Sequence, residues 1–367
     1  MRKFAYYPHI IKFFSAAAIW SILNYVPIFA KSLGISDTNI GIIASMFATA
    51  MFISTYLFGR LADLVGRRHV IIIGLLFSAI SFLLYVYAKD FETLLFVRVL
   101  SGIGISMQAS ALVAYAHDVG HKIGKLTAFE ALGIAIGSIL VGTIAVYFDI
   151  ISIFLLSAFF SFIAFMTSLK LEKVNFAKIQ APIFPHHILK RNLPVYISFF
   201  IRHAAANSIW VFWGLYLLQL GGNLFFVGLA MAINTSTQFI LMLTVTDKMK
   251  VNTLLALGTL LSSVAFFAFG MATDIWQILL TQIILGTSWA FLYVGGIRWI
   301  TDNTKEKATG LGLLGSFSNL AMLVGPLIAT TVIYFGGYRS IMFVAAAMAF
   351  VSFLVFDVLA KVNKVQK

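Results

Sequence analysis

At 367 residues, with 61% hydrophobic and only 11% charged, the chain has too little polar surface to enclose a water-soluble globule; its mean hydropathy is +0.98. Lipid must be its solvent, and since backbone groups in hydrocarbon have to be satisfied within the spanning segment, helices are the spanning element and the fold class is all-α. The absence of cysteine excludes disulfides, thiolate metal sites and cysteine nucleophiles, while a net charge of +13 demands an account in terms of membrane or nucleic acid.

Runs of about 20 apolar residues predict twelve spans, near residues 10–31, 38–58, 69–88, 92–116, 125–147, 150–169, 194–219, 224–245, 252–271, 275–298, 308–334 and 339–360. The basic start leads into an apolar stretch of full span length without a small-residue cleavage site, so it reads as helix 1 and not as a removed signal. Trp20, Asn24 and Tyr25 give that helix a polar and aromatic side. Between spans 2 and 3 comes the hydrophilic turn Gly59-Arg60-Leu61-Ala62-Asp63-Leu64-Val65-Gly66-Arg67-Arg68. Span 4 carries Arg98 ahead of Gly102 and Gly104, and span 5 carries Glu130 ahead of Gly133, Gly137 and Gly142.

A polar stretch, Lys170 to Asn192, divides the spans six and six, and Pro182, Pro185 and Pro194 are expected to break any helix crossing it. The expected organisation is an N-terminal six-helix bundle over residues 1–170, a cytoplasmic linker over 171–193 and a C-terminal bundle over 194–367. In span 7, Arg202, His203, Asn207 and Trp210 recur so that Arg202, Asn207 and Trp210 are expected on one side. Asn234 and Gln238 share a face of span 8, as do Gln282, Trp289 and Tyr293 in span 10. These stripes read either as cavity lining for a small-molecule solute or as interhelical hydrogen bonding that holds the bundle. Span 11 holds Gly325-Pro326, expected to kink it.

The spacing Gly59-x-Leu61-Ala62-Asp63-x-x-Gly66-Arg67-Arg68 resembles the signature between helices 2 and 3 of the major facilitator superfamily. Arg98 with its two glycines resembles that family's helix-4 pattern, whose Arg is associated with coupling in proton-driven members. Gly133, Gly137 and Gly142 resemble the helix-5 antiporter signature, with Ser138 where its proline would follow. The resemblance, most like the drug-proton antiporters, implies twelve transmembrane helices in two six-helix pseudo-repeat bundles. It further implies a substrate path between the halves, alternating access, and a latch in which Asp63, Arg67 and Arg68 meet the amino end of helix 11.

The halves repeat in sequence as such a family requires. An offset of 184 residues carries Asp63 to Asp247, Asp90 to Asp274, Gly102 to Gly286, Asp118 to Asp302 and Arg98 to Gln282; an offset of 187 carries Leu33-Gly34 to Leu220-Gly221. Of the 26 Lys and Arg, 21 fall on the side of both termini and the central linker, 3 on the other, and Arg98 and Arg202 inside spans. The positive-inside rule then puts both termini in the cytoplasm of a multi-pass cell-membrane protein, and basic loops beside anionic lipid explain the charge without nucleic acid.

Ionisable groups inside spans cost roughly 2.5 to 3.5 kcal/mol on insertion scales and need a reason. Glu130 suits a coupling proton, because burial favours the protonated carboxyl; its competing reading is a helix-start carboxylate favoured by the dipole and by Lys122 or Lys125. Arg98 is either a coupling residue or a structural arginine that bonds backbone carbonyls or snorkels outward, and it lies too far in depth from Glu130 for a direct pair. His117-Asp118-x-x-His121 has metal-ligand spacing but no further ligand, so no metal or cofactor is expected, and with no phosphate-binding loop no ATP drives the protein. The glycines read as helix-packing positions.

The expected function is proton-coupled export of small, largely hydrophobic solutes by a monomer. The alternative is uptake or exchange of a small polar solute, a sugar or organic anion, with Arg202 and Arg98 as cationic contacts and no proton coupling. A membrane enzyme would need a convergent catalytic set, and none is present in the sequence.

Cysteines placed singly at Asn39 or Gly337 in this cysteine-free chain are expected to react with an impermeant maleimide in intact cells, and one at Asn175 is not. Labelling of the Asn175 variant from outside overturns the orientation.

Overall fold

Helix ends in this chain are set by a few polar and glycine residues, since apolar sequence alone gives no stop. A computed structural model describes residues 6–23, 25–174, 184–222 and 224–365. Among these the elements are α1 (Tyr7–Leu23), α2 (Val26–Ser32), α3 (Asp37–Val65), α4 (Arg67–Leu83), a 3₁₀ turn (Leu84–Tyr87), α5 (Phe91–Asp118), α6 (Ile123–Tyr147) and α7 (Ile151–Ser168). They continue with α8 (His186–Gln219), α9 (Leu224–Thr244), α10 (Val251–Met271), α11 (Ile275–Asn303) and α12 (Lys307–Val365). No strand occurs among the described residues.

Ser36 opens α3 by accepting from the Asn39 amide at 3.3 Å, and Asp90 opens α5 through a capping box with Thr93. Hydrogen bonds from Thr93 hold the Asp90 carboxyl below the usual carboxylate range. Gly66 alone separates α3 from α4, at φ 105°, a conformation that a side chain strongly disfavours; this is why the hydrophilic turn needs glycine there.

Two expectations about continuity change, and one holds in a different form. The first span is two helices, with Pro27 in the first turn of α2, where its missing N–H is harmless; in one continuous helix it would orphan the Leu23 carbonyl. Spans 11 and 12 keep their expected boundary although α12 covers both, since its 59 residues as one straight helix would reach about 88 Å. Gly337, at φ 70° and ψ −171°, breaks it into two span-length pieces, the first containing Pro326. Pro194 does not stop a helix: α8 begins at His186 and runs through it, leaving one missing donor inside an otherwise bonded helix. Of the linker expected over 171–193, residues 175–183 lie outside the described residues.

The chain forms two units. One comprises Met1–Ile183 with Lys305–Ser316, and the other Phe184–Thr304 with Phe317–Lys367. The first unit is centred on Phe82, Tyr85 and Phe154, the last two stacked at 4.3 Å; the second is centred on Trp213, Phe266 and Phe269. The sequence repeat reappears as repeated packing. A Cβ on Gly74 would meet Met107 and Gln108, and one on Gly258, 184 residues later, would meet Leu292, the counterpart of Gln108. A Cβ on Gly102 would meet Phe47, and one on Gly286 would meet Asn234 and Thr237, so the 187-residue offset of the second helix holds in three dimensions. Asp274 caps α11 as Asp90 caps α5.

Small residues are what allow these approaches. At Gly133 an added Cβ would overlap the Phe13 carbonyl, and at Gly137 it would lie 2.9 Å from the Ala17 Cα, so α6 and α1 touch backbone to backbone. At Gly214 in α8 an added Cβ would meet nothing within 4 Å. Gly133→Val should therefore destabilise the detergent-purified protein by about 1–3 kcal/mol through overpacking, while Gly214→Ala should be neutral or slightly stabilising. Thermal unfolding of the two variants beside wild type checks the contrast; equal behaviour sinks it.

Candidate functional site

The hydrophilic turn builds a charge cluster inside the first unit. Asp63, near the end of α3, is buried and accepts from Arg67 Nη2 at 3.1 Å and Nε at 3.3 Å. Its other partners come from the first turn of α12: the Thr309 amide and hydroxyl, each at 2.7 Å, and the Ala308 amide at 3.4 Å. These amides have no acceptor inside their own helix, so a carboxylate satisfies them and meets the positive end of the dipole. Arg67 also donates to the Ala114 carbonyl at 3.2 Å and pairs with Asp118, whose other oxygen accepts from Lys307 Nζ at 2.5 Å. His117 Nδ1 lies 3.0 Å from the same Lys307 ammonium.

Gly59 makes this approach possible. A Cβ there would overlap the Ala308 carbonyl, and one on Gly312 would lie 2.6 Å from the Thr55 carbonyl, so α3 and the start of α12 meet over two bare backbones. The family resemblance puts Asp63 and the amino end of helix 11 together but not Gly312, Thr309 or Lys307, for which the small-residue run Gly310-x-Gly312-x-x-Gly315-Ser316 is the available signal. Arg68 stands apart from the cluster. It donates to the Leu171 and Leu169 carbonyls at 2.8 and 3.0 Å and so closes the carboxyl end of α7.

His117 and Asp118 turn toward Lys307, whereas His121 meets His9 edge to face at 4.8 Å, so the metal-like spacing is not realised as one cluster. Burial and Lys125 hold the His121 imidazole below the ordinary histidine range. Among the described residues, no three His, Cys, Asp or Glu gather as a metal site.

Glu130, on α6, pairs with Lys12 of α1 at 2.9 Å, their side chains 19% and 9% exposed. The partner of Glu130 is thus Lys12 and not the expected Lys122 or Lys125. The close contact at Gly133 and Phe13 brings these positions on the two helices together. Arg98 is buried in α5 with its guanidinium 3.6 Å from the Phe47 ring and Nη1 3.3 Å from the Tyr85 hydroxyl, which in turn bonds Ser101 at 3.1 Å. Gly102, one turn on, gives Phe47 the room to reach it, which is the physical content of an arginine followed by glycine.

In the second unit, Arg202 of α8 is buried, with Nε 2.8 Å from Ser262 Oγ of α10 and its guanidinium 5.1 Å from the Trp289 ring and 5.5 Å from that of Phe266. Ser262 and Ser288 are 2.5 Å apart. Trp289 stacks on Tyr293 at 5.1 Å and meets the His203 ring at 5.1 Å. Asn234 donates to Gln282 at 3.1 Å and accepts from Gln238 at 2.5 Å, an amide chain joining α9 and α11.

The expected single face of Arg202, Asn207 and Trp210 does not exist. Arg202 turns to α10 and α11, Asn207 packs against Gly325 of α12, and Trp210 is 40% exposed beside Trp213. At about 100° per residue, positions five apart differ by about 140°, which places them on different sides. Tyr25 lies half-buried between α1 and α2; Asn24 lies outside the described residues, as do the Trp20 side chain and the surroundings of Gly142.

Comparison with known proteins adds the family dimension. The model described as Major Facilitator Superfamily matches residues 9–243 and 195–367. The multidrug resistance protein MdtG of Salmonella choleraesuis (strain SC-B67) is 22% identical over 366 residues, covering 92% of this chain and 90% of its own length. An uncharacterised MFS-type transporter of Methanocaldococcus jannaschii is 24% identical over 338 residues, covering 86% and 87%. Among solved structures, the human organic anion transporter MFSD10 (TETRAN) superposes with a TM-score of 0.80 at 16% identity, over 97% of this chain and 99% of that one.

Removing one partner of a buried ion pair costs about 3–5 kcal/mol, so Asp63→Asn should lower transport rate at least about tenfold while leaving equilibrium solute affinity within a few-fold. Arg68→Gln, which loses only the closure of α7, should lower thermal stability and spare most of the rate. Rate and affinity measured on both variants test this; a parallel loss of binding in Asp63→Asn would place Asp63 at the solute instead.

Proposed function

We propose, from the premise that this chain belongs to the Major Facilitator Superfamily, that it exports small, largely hydrophobic solutes in exchange for protons by alternating access. It is a multi-pass membrane transporter; the direction, the solute class and the proton are the proposal. The observation that carries the proton is the Lys12–Glu130 pair. A proton arriving at Glu130 removes the negative member of a mostly buried pair and leaves Lys12 without it, so the contact between α1 and α6 depends on proton occupancy. A group whose proton occupancy shifts a helix contact can bias one access state over another, provided the proton binds the two states with different affinity.

Export draws support from the resemblance to proteins named for multidrug resistance, and hydrophobic solutes from the aromatic side chains around Arg202 and Trp289. In this reading the protein works as a monomer in the cell membrane with both termini cytoplasmic, and residues 1–170 and 194–367 act as the two six-helix bundles joined by 171–193. Asp63 with Arg67 stabilises one access state, and Arg98 supports coupling from a different depth than Glu130.

Glu130→Gln in proteoliposomes should keep solute binding and counterflow exchange yet lose at least about tenfold of the accumulation driven by an imposed pH gradient. If the variant still concentrates solute with normal pH dependence, Glu130 is a structural partner of Lys12 and the exchange is not proton-driven through it.

A further inference from the structure

Arg202 presents a charge that its surroundings do not neutralise. Its hydrogen bond runs from Nε to Ser262 Oγ, and among the described residues no carboxylate joins it and neither terminal amino group has an acceptor. A guanidinium is ionised at any physiological pH, so burial cannot be relieved by losing the proton. The Trp289 and Phe266 rings, at 5.1 and 5.5 Å, offer a weak attraction that falls short of what desolvating an ion costs. Beside it His203 Nδ1 is buried without a hydrogen-bond partner, and its ring meets the same Trp289. The polar groups left open here are thus the fork of the buried Arg202 and the buried His203 Nδ1, framed by Phe199, Trp289 and Tyr293.

We infer that Arg202 is the anion-binding element of the solute site, so that the transported compounds carry a carboxylate or similar planar anion on an aromatic or apolar body. The anion takes the two free amino groups in a bidentate pair, and the body lies against the indole and its stacked tyrosine. Ser262, itself bonded to the Gly258 carbonyl at 2.9 Å, fixes the fork by holding Nε. Arg98 offers less to a ligand: its guanidinium lies against Phe47 at 3.6 Å and bonds Tyr85. This assignment rests on the reading of the chain as a solute transporter but not on proton coupling.

Calorimetric titration of the purified full chain with 2-naphthoate and with its neutral isostere 2-naphthamide tests it at equilibrium, independently of any gradient. Wild type should bind the carboxylate at least about tenfold tighter than the amide. Arg202→Gln should abolish that preference while leaving the amide within about threefold of wild type, and Arg202→Lys should restore part of it as a point charge without the fork. Ser262→Ala, which leaves the charge in place, should lower the preference a few-fold and covers the case in which Arg202→Gln does not fold. Equal affinity of wild type for the two compounds, no binding of either at about 1 mM, or an undiminished preference in Arg202→Gln overturns the inference. A failed Glu130→Gln test leaves it standing, and its own failure leaves the proton proposal standing.

Discussion

A buried charge needs a partner within about 3 Å, yet helices packed through ordinary side chains keep their axes 8–10 Å apart and their polar atoms separated by apolar ones. Glycine removes that obstacle, and Asp63, Arg98, Glu130 and Arg202 all sit close to glycine contacts. Asp63 lies one turn beyond Gly59, where α3 meets the start of α12; Arg98 lies one turn before Gly102, where Phe47 enters. Glu130 lies three residues before Gly133, where α6 meets α1, and Arg202 reaches Ser262, one turn beyond Gly258, where α10 meets α11. The glycines serve packing, and the packing decides which charges can be held.

The four charges differ in what answers them. Asp63 collects donors from Arg67 and from the first turn of α12, and Glu130 has Lys12. Arg98 and Arg202 have hydroxyls and aromatic faces in place of carboxylates. Compensated charges of this kind favour one arrangement of the helices that hold them. A cation held by hydroxyls and rings leaves binding capacity over, which is the expected condition of a site that a solute completes.

The internal repeat sharpens this distinction. The two units share caps at Asp90 and Asp274 and glycine contacts at Gly74 and Gly258, positions concerned with ending and packing helices. They part where Arg98 on Phe47 is matched by Gln282 bonded to Asn234, an ion on a ring against an amide pair. They part again where Gly104 against Ser78 is matched by Ser288 against Ser262, the serine that holds Arg202. Duplicated positions that kept their contacts cap and pack helices, and the diverged ones surround Arg98 and Arg202.

Hydropathy, helix-ending residues and the turn Gly59 to Arg68 are properties of contiguous sequence, so the all-helical spanning architecture and the repeat were readable without coordinates. Interruption of the first span around Tyr25 and continuation of α8 through Pro194 were less readable, because a proline's effect depends on which turn of a helix it occupies. The meeting of Asp63 with the start of α12 came from the family resemblance, but the individual partners across helices were beyond the sequence: Thr309 is 246 residues from Asp63, Lys12 is 118 positions from Glu130 in another helix, and Arg68 closes α7 in place of joining the latch. Sequence by itself determined which residues are too costly to bury without a reason. Only the tertiary structure decided which reason each one has, because that depends on which faces of distant helices meet, and the meeting is set by small residues on both sides of the contact at once.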